Sequence, residues 1–491
     1  MTTTNSDAVQ GNRQKVLPDS IRQRFVDSPG IEFRDGGTVS SAEIWRFLTE
    51  DVPRLFPYTF ETGPKDSFLT KFSGDYELFS AIKRNYVYLS LRDRLKRLHD
   101  QGLPIVFVQG YQTMEPYHAA RTIPVGTGFL SYWATNLKDG QSINEFNKNR
   151  ASFLEAGRRA ISPDACHPQI SAYGVIQSGV IPIDFIAPYL GIHCSDILPL
   201  AVAHRSGKTR VPTLLVDTPI DGLHHGAWDV DYQAKTLRTL VRRLSEVAKH
   251  PVTDDDLRAE IRLANEARKL LQDYVAIWNS ADTPPTGSHD HTATFYGVHR
   301  FLPETTAVIS MIKGARDEVS WRVKHGVKGH GVAERPVRIF SCGGAPAEVV
   351  DAAGGVVVGT AVQYGQGSVL VKEAGDPYEN LAAAVLSLPH ELPLEERAHW
   401  VAKKVKESRA DGATFSYQWG CNSEAAASRL IADIVRKEAG VPTAIVEPSD
   451  RGTETAEQVR TRVEAFIETV RTVRDNARAG QRREAPSVAV P

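Results

Sequence analysis

The chain has 491 residues, of which 41% are hydrophobic and 24% are charged, and its formal net charge at pH 7 is −1. This length exceeds what one hydrophobic core supports, so we expect two or three domains of an ordinary globular protein. The balanced charge argues against a nucleic-acid-binding protein, which would show a basic excess. The sequence contains no apolar run of about 18 residues and no apolar stretch of a secretory signal, so we expect a cytoplasmic protein without membrane contact.

The N-terminal region, residues 1–102, is predicted to be a polar leader followed by helices. The pattern SSAEIWRFLTEDVPRLF begins with a capping box, in which Ser40 or Ser41 precedes Glu43. Apolar residues then recur at helical spacing up to a glycine. We therefore interpret residues 40–101 as a helical region.

The first buried strand is predicted at LPIVFVQG, residues 103–110, because this apolar run is continuous and ends in glycine. A polar turn and a short helix follow in YQTMEPYHAARTIPVGT, which is the first half of a βαβ unit. Ligands bind at the carboxyl ends of strands in open α/β sheets, so the turn from Gln109 to Glu115 can form a site. The alternative for Glu115 is a solvated or helix-capping carboxylate.

Strands and helices alternate regularly from about Arg335, starting with the strand and turn RPVRIFSCGG. Such alternation predicts a parallel sheet with helices on both faces. A similar but less regular pattern covers residues 103–220 and includes VPTLLVDTP (211–219) as another buried strand. The predicted fold class is therefore α/β, with two Rossmann-like (flavodoxin-like) parallel-sheet domains and a helical N-terminal region. The predicted α/β domains and tail are 103–334 with a helical insertion, 335–476, and a disordered tail at 477–491.

Two other patterns suggest sites but fail on spacing or context. The segment HRSGKTR (204–210) ends like a phosphate-binding loop, but Val202 stands where that loop requires its first glycine. Histidines in the predicted loop TPPTGSHDHT (283–292), with a second histidine pair upstream, could bind a metal ion, although histidines on polar loops are more often solvated. These histidines are His224, His225, His289 and His291.

The four cysteines, Cys166, Cys194, Cys342 and Cys421, are the main candidates for a site. Disulfides are not expected in a cytoplasmic protein, so the alternatives are metal or redox use and small buried hydrophobic residues. Cys421 follows the predicted strand GATFSYQ and precedes a predicted helix, and Cys166 precedes another in CHPQISAYG. The N-terminus of a helix stabilises a thiolate, the form that binds zinc and iron–sulfur clusters. Because a cubane cluster normally takes four cysteines, three would leave one iron open.

Several segments of the chain are similar to segments of one known family. They are GYQTMEPYHAARTIPV, the spacing of Cys166 and Cys194, the strand and helix VDTPIDGLHHGAWDVDYQAKTLRTLVRRL, and RLANEARKLLQDY. The most specific part is ADGATFSYQWGCNSEAAASRLI followed by GVPTAIVEPSDRGTETAEQVRTRVEAFIE, which matches Cys421 to the family's third cysteine. From about Leu103 to Val470 the chain resembles the 2-hydroxyacyl-CoA dehydratase and benzoyl-CoA reductase family.

The resemblance implies that Cys166, Cys194 and Cys421 bind a [4Fe-4S] cluster. It further implies a radical hydro-lyase, in which one electron added to the carbonyl of a 2-hydroxyacyl-CoA thioester allows the 2-hydroxyl group to leave. Members work as two related subunits, so a homologous second subunit and hence a heterodimer are expected. A separate ATP-dependent iron–sulfur activator is also implied, because no ATP-binding motif is present in this chain.

Three residues near the first predicted strand are the candidate catalytic groups under this resemblance. Glu115 is predicted to act as an acid/base or to orient an oxygen atom, and Thr113 and His118 are further candidates.

Three other hypotheses remain open at this point. The chain could belong to an ATP-dependent aryl- or acyl-thioester reductase of the benzoyl-CoA reductase type. It could be a non-catalytic partner subunit whose cluster is fully ligated, with Cys342 or another group as the fourth ligand. A plain α/β binding protein with incidental cysteines would contain no iron after anaerobic purification.

Overall fold

Two four-stranded parallel sheets form the centre of the protein. In this computed structural model the described residues are 19–56, 77–109, 113–127, 130, 139–140, 142–161, 165–191, 202, 211–219, 226–299, 304–342, 345–360, 369–416, 421–446 and 453–484. The strands are β1 (Ile31–Glu32), β2 (Thr38–Val39), β3 (Ile105–Gln109), β4 (Ile123–Gly126), β5 (Phe185–Leu190), β6 (Val216–Asp217), β7 (Val337–Cys342), β8 (Gly355–Thr360), β9 (Gly412–Phe415) and β10 (Thr443–Ile445).

Helices connect and cover these strands. They are α1 (Arg22–Val26), α2 (Ser41–Arg46), α3 (Val52–Leu55), α4 (Phe79–Asp100), α5 (Glu115–Ala119), α6 (Ile143–Ala160), α7 (His167–Ser178), α8 (Ala227–Ala248), α9 (Asp254–Ser280), α10 (Ser288–His299), α11 (Thr305–His325), α12 (Ala347–Ala352), α13 (Pro377–Leu386), α14 (Leu394–Glu407), α15 (Asn422–Ala439) and α16 (Thr453–Glu484). The predicted helical N-terminal region is confirmed by α2, α3 and α4, and the capping box at Ser40 and Glu43 forms as expected.

The two sheets have the same topology. The first has the order β4-β3-β5-β6 and the second the order β10-β9-β7-β8, and the paired strands in both are parallel. When the strands of each sheet are numbered along the chain, both orders become 2-1-3-4. This is the beginning of the flavodoxin-type strand order. The predicted α/β fold with two parallel sheets is therefore confirmed.

Some strands were easier to predict than others. The apolar runs of β3, β7 and β8 are almost continuous and buried, as expected for the interior of a parallel sheet. The sequence analysis did not identify β4 and β5 as strands, because a proline interrupts the apolar run of each. The segment 211–219 is less regular than predicted, since it forms one isolated bridge from Thr213 to Ile186 and then only the two residues of β6.

The chain crosses between the two sheets more than once. Helix α13 follows the second sheet's β8 in sequence, yet it packs against α8 beside the first sheet. Leu381 and Val385 of α13 share a buried apolar cluster with Val106 of β3 and Tyr189 of β5. The guanidinium of Arg238 on α8 also lies over the ring of Tyr378, 4.2 Å from its centroid. The core of the first sheet is therefore completed by a helix from the second half of the chain.

Helix α10 corrects one prediction. The segment 283–292 was expected to be a loop throughout, but α10 begins at Ser288. The Ser288 side chain explains this start, because its hydroxyl donates to Asp351 and accepts a 2.7 Å hydrogen bond from the backbone N–H of Val357 in β8. These contacts hold the first turn of α10 against the second sheet.

His291 on α10 is a fully buried core residue. Its ring stacks on Trp278 with centroids 4.1 Å apart, Nδ1 lies 3.1 Å from the Tyr274 hydroxyl, and Nε2 lies 3.3 Å from the carbonyl oxygen of Val358. A neutral ring satisfies both contacts, with the tyrosine donating and Nε2–H donating to the carbonyl. Burial, as the main cause, lowers the pKa of His291 to about 3.

Acid should destabilise the protein through His291. Below its ordinary pKa of 6.5 the residue gains a proton in the unfolded chain but not in the fold, so stability falls as the pH drops from 6.5 towards 3. The expected loss from this residue is about 2 kcal/mol at pH 5. The difference in unfolding free energy between wild type and His291→Gln should therefore be smaller by that amount at pH 5 than at pH 7.5. The exposed His325→Gln on α11 is the control, and a gap that stays constant with pH would contradict the assignment.

The C-terminal helix is longer than the predicted domain boundary suggests. Helix α16 continues to Glu484, past residue 477 where the disordered tail was expected to begin. Five of the eight residues from Ala477 to Glu484 are alanine or arginine, which have high helix propensity and offset the single glycine, Gly480. Within the part of the chain that the structure describes, no helix has both the length and the apolar character needed to span a membrane.

Candidate functional site

The repeated topology creates one switch point in each sheet, where neighbouring strands lead to connections on opposite sides. These crevices lie at the carboxyl ends of β3 and β5 in the first sheet, and of β7 and β9 in the second. In open α/β sheets, ligands bind at such points. The chain reaches Glu115 shortly after β3 and Cys194 shortly after β5, and it reaches Cys421 shortly after β9. Cys342 is the last residue of β7.

Cys166 and Cys421 occupy equivalent positions at the start of a helix. Cys166 immediately precedes α7, and its carbonyl accepts hydrogen bonds from the backbone N–H groups of Gln169 and Ile170. Cys421 immediately precedes α15, and its carbonyl accepts from the N–H of Ala425. Both thiols are therefore at the positive end of a helix, as the sequence analysis predicted, which favours the thiolate. Cys166 is buried and Cys421 is half-buried.

Cys342 lies at the switch point of the second sheet. It is half-buried, and its carbonyl accepts a 3.0 Å hydrogen bond from the N–H of Ser416, which follows β9. Cys166, Cys342 and Cys421 are all free of disulfide bonds. Cys194 lies outside the described residues, so the complete predicted set of three ligands stays a prediction. In the described ranges alone, no group of three or more His, Cys, Asp or Glu residues is arranged to hold a metal ion.

A row of hydroxyl groups crosses the second sheet one residue before Cys342. Ser341 of β7 is in register with Thr360 of β8 on one side and with Thr414 of β9 on the other. All three residues are buried. The sequence analysis missed this row, because the strand register that aligns the three residues cannot be seen from their separate positions in the chain.

Glu115 is buried at the first turn of α5 and forms an ion pair with Arg268 of α9. The distance from Arg268 Nη2 to Glu115 Oε1 is 2.6 Å, and both side chains are almost fully buried. The hydroxyl of Thr113 donates to the other carboxylate oxygen, Oε2. The structure therefore brings two of the predicted catalytic residues, Glu115 and Thr113, into direct contact. The alternative of a solvated carboxylate is excluded by the burial of Glu115.

Arg268 is linked in turn to a segment from the second half of the chain. Its Nη1 donates to Asn265 Oδ1 at 3.1 Å. The Asn265 amide makes paired hydrogen bonds with the backbone of Val371, donating to its carbonyl at 2.8 Å and accepting from its N–H at 3.0 Å. Asn265 also donates to Glu373 at 3.0 Å. The predicted catalytic carboxylate is thus connected to residues 371–373, which lead into α13.

His118, the third predicted catalytic residue, is buried on α5 with Glu115. Its pKa lies well below the ordinary 6.5, mainly because of burial and secondarily because of the positive charge of Arg34. A neutral imidazole can accept or donate a hydrogen bond, but it is a poor proton donor at neutral pH. Of the histidines considered for a metal site, His291 belongs to the core, and His224 and His225 lie outside the described residues. The segment 204–210 also lies outside the described residues.

The residues that the sequence analysis missed around Glu115 are Arg268 and Asn265. They form an N-x-x-R pattern within the helical segment RLANEARKL, so they lie on one face of α9. The available signal was an arginine at a position where the amphipathic pattern of the helix calls for an apolar residue. Arginine at such a position is rarely buried unless it is paired.

The comparisons with known proteins agree with this picture. Residues 110–470 match the family described as 2-hydroxyglutaryl-CoA dehydratase, D-component. The match includes both sheets from the end of β3 onwards and all four cysteines. A search of curated proteins finds no match. Because the family match covers well over half of the chain, the chain belongs to the 2-hydroxyglutaryl-CoA dehydratase D-component family.

Proposed function

We propose that this chain is the iron–sulfur subunit of a radical 2-hydroxyacyl-CoA dehydratase. Family membership indicates a component of a 2-hydroxyacyl-CoA dehydratase, which is a hydro-lyase, and the D-component description implies a partner subunit in a complex. The observation that most favours the finer proposal is the position of the cysteines. Cys166 and Cys421 each begin a helix, and Cys421 closely follows the strand at the switch point of the second sheet.

A [4Fe-4S] cluster fits the donor set of this chain. Cys166 and Cys421 form no disulfide bond and lie at positive helix ends, which suits thiolate ligands, and Cys194 is the proposed third ligand. Three thiolates leave one iron without a protein ligand. When bound, such a cluster supplies an electron at low potential and a Lewis-acid position for oxygen.

The reaction needs this chemistry because the β-hydrogen of a 2-hydroxyacyl thioester is too weakly acidic for an ordinary side-chain base. An electron on the thioester carbonyl makes the C2–O bond breakable and the C3–H proton removable. Hydroxide and the proton leave as water, the electron is recovered, and the 2-enoyl thioester remains. The overall reaction is therefore redox-neutral, although it needs an electron to start.

Three residues of this chain have a role in the proposed mechanism. Glu115, with its charge balanced by Arg268, offers a buried carboxylate that can orient the substrate's hydroxyl group or accept the proton from C3. Thr113 fixes one carboxylate oxygen and so holds the other in a defined direction. Neutral His118 lies on the same short helix and serves as a hydrogen-bonding group.

The proposed partners are an activator, a second subunit and a thioester substrate. No ATP-binding motif is present, so a separate ATP-dependent iron–sulfur activator supplies the starting electron. A homologous second subunit completes a heterodimer, and the substrate is an acyl-CoA thioester. We place the complex in the cytoplasm, where thiols stay reduced.

One observation favours a second candidate function, that of a partner subunit with a fully ligated cluster. Cys342 ends β7 at the same switch point from which the chain leads to Cys421, so it is well placed in the fold to act as a fourth ligand. An aryl- or acyl-thioester reductase of the benzoyl-CoA reductase type would use the same cluster and differ in the fate of the electron.

Anaerobic purification with the co-purifying partner tests the proposal directly. We expect iron and acid-labile sulfide in the amounts of one [4Fe-4S] cluster per chain, and a change in the spectrum of the reduced cluster when a 2-hydroxyacyl-CoA is added. Conversion of the thioester to the enoyl product, with a reduced activator and ATP present, would establish dehydration. A protein without iron would contradict the proposal, and a spectrum that does not respond to any thioester would favour the fully ligated partner subunit.

A further inference from the structure

Gln233 on α8 is a buried amide without a hydrogen-bond partner. Its side chain is 0% exposed, and neither Oε1 nor Nε2 makes a hydrogen bond. Buried polar groups are nearly always paired, because an unpaired one loses its hydration without compensation. A leucine would fill similar space without that loss. The amide therefore calls for an explanation other than the stability of the fold.

Thr218 shows the same property at the neighbouring strand. It directly follows β6, it is buried, and its Oγ1 has no hydrogen-bond partner. Its backbone N–H donates to the carbonyl of Leu190 at 3.1 Å, which places Thr218 beside the end of β5. Helix α8 packs on β6. The two unpartnered side chains thus lie on adjacent elements that meet near the carboxyl edge of the first sheet.

A close approach at Gly191 locates a carboxylate at the same edge. Gly191 immediately follows β5, and a Cβ atom there would lie 2.6 and 2.9 Å from the two carboxylate oxygens of Glu391. A side chain at this position would force the Glu391 carboxylate and the Tyr189 ring, whose nearest atom would be 2.8 Å away, to shift. Glu391 is 0% exposed and comes from the segment between α13 and α14. Thr218, Gln233 and Glu391 offer no positive charge that could bind an anion, so a ligand group held between them is expected to be neutral.

From these contacts we infer that Thr218 and Gln233 form a binding subsite for a neutral ligand group that has both a hydrogen-bond donor and an acceptor, an amide or a hydroxyl. The inference rests on the proposed function, since the ligand is then an acyl-CoA thioester. Such a thioester offers this chemistry in two places, the amides of its pantetheine arm and the 2-hydroxyl of its acyl group. The subsite lies close to the first-sheet switch point, from which the chain leads to Cys194.

The test compares Gln233→Leu and Thr218→Val with wild type in anaerobically purified protein, without activator or ATP, so that no turnover occurs. Binding of butyryl-CoA and 2-hydroxybutyryl-CoA is measured by calorimetry, and thermal unfolding is measured without ligand. Gln458→Leu is the matched control, because it makes the same change at an exposed position of α16. We expect each site variant to unfold at the same or a higher temperature than wild type, while its affinity for thioester falls about three- to tenfold.

The pattern of loss identifies the ligand group. Equal weakening for both thioesters assigns the subsite to the pantetheine arm, and weakening for 2-hydroxybutyryl-CoA alone assigns it to the acyl hydroxyl. Unchanged affinities in variants of a protein that binds thioester would overturn the subsite but not the proposed function. A clear drop in unfolding temperature without ligand would also overturn it, because the amide or hydroxyl would then serve the fold. A wild-type protein that binds neither thioester would contradict both proposals.

Discussion

Replacing Cys421 with alanine should remove nearly all iron from the anaerobically purified protein and leave its fold intact. The thiol is one of three proposed cluster ligands, and two remaining thiolates cannot hold a cubane cluster that already lacks its fourth cysteine. The helix itself should tolerate the change, because the Cys421 side chain makes no capping hydrogen bond to α15. Iron and sulfide content, with circular dichroism to verify the fold, measure the effect.

Cys342→Ala is the matched control for this experiment. It makes the same substitution near the same switch point, and Cys342 is half-buried as Cys421 is. If three ligands hold the cluster, Cys342→Ala keeps its iron and Cys421→Ala does not. A Cys421→Ala protein with full iron content would refute the assignment. Loss of iron from both variants would instead indicate four ligands, and hence the non-catalytic subunit.

Replacing Arg268 with glutamine should have the second large effect, because it leaves the buried carboxylate of Glu115 without its cation. Breaking one side of a buried ion pair costs about 3–5 kcal/mol of stability. We therefore expect Arg268→Gln to lower the unfolding free energy by about that amount, and to reduce dehydration as well. Denaturant unfolding and turnover with saturating activator are the two measurements.

The double variant Glu115→Gln/Arg268→Gln separates stability from catalysis. With both charges removed, much of the stability lost in Arg268→Gln should return, since two neutral groups can occupy the site together. Activity should remain at least about 100-fold below wild type, because an acid/base group contributes on that order and the amide cannot replace it. A double variant that regained activity along with stability would show that Glu115 only supports the fold.

The fold could be predicted from the sequence wherever local pattern determines structure. The apolar runs of β3, β7 and β8 predict buried parallel strands, and their alternation with amphipathic helices predicts the two sheets. Strand β5 was missed because Pro188 interrupts a short run. The return of α13 to the first sheet could not be predicted, since it depends on contacts between segments distant in sequence rather than on any local signal.

The candidate site was predictable to a similar degree. Cysteines at helix starts follow from local pattern, so Cys166 and Cys421 were placed correctly in their elements. Arg268 and Gln233 were missed, although both lie on the apolar face of their helices, because a polar residue there is rarely buried unless it has a partner that the sequence does not reveal. Their burial depends on which helix covers which strand, and this becomes known only from the assembled structure.

The path of α13 has a consequence for how this protein can be divided. A fragment ending at residue 334 would contain every strand of the first sheet but would lack Leu381 and Val385, which lie in the apolar cluster beside that sheet. Such a fragment should expose the apolar surface that α13 covers in the full chain, and it should aggregate when it is expressed alone. Because α13 from the second half of the chain packs beside the first sheet, the two sheets are expected to unfold together in one thermal transition.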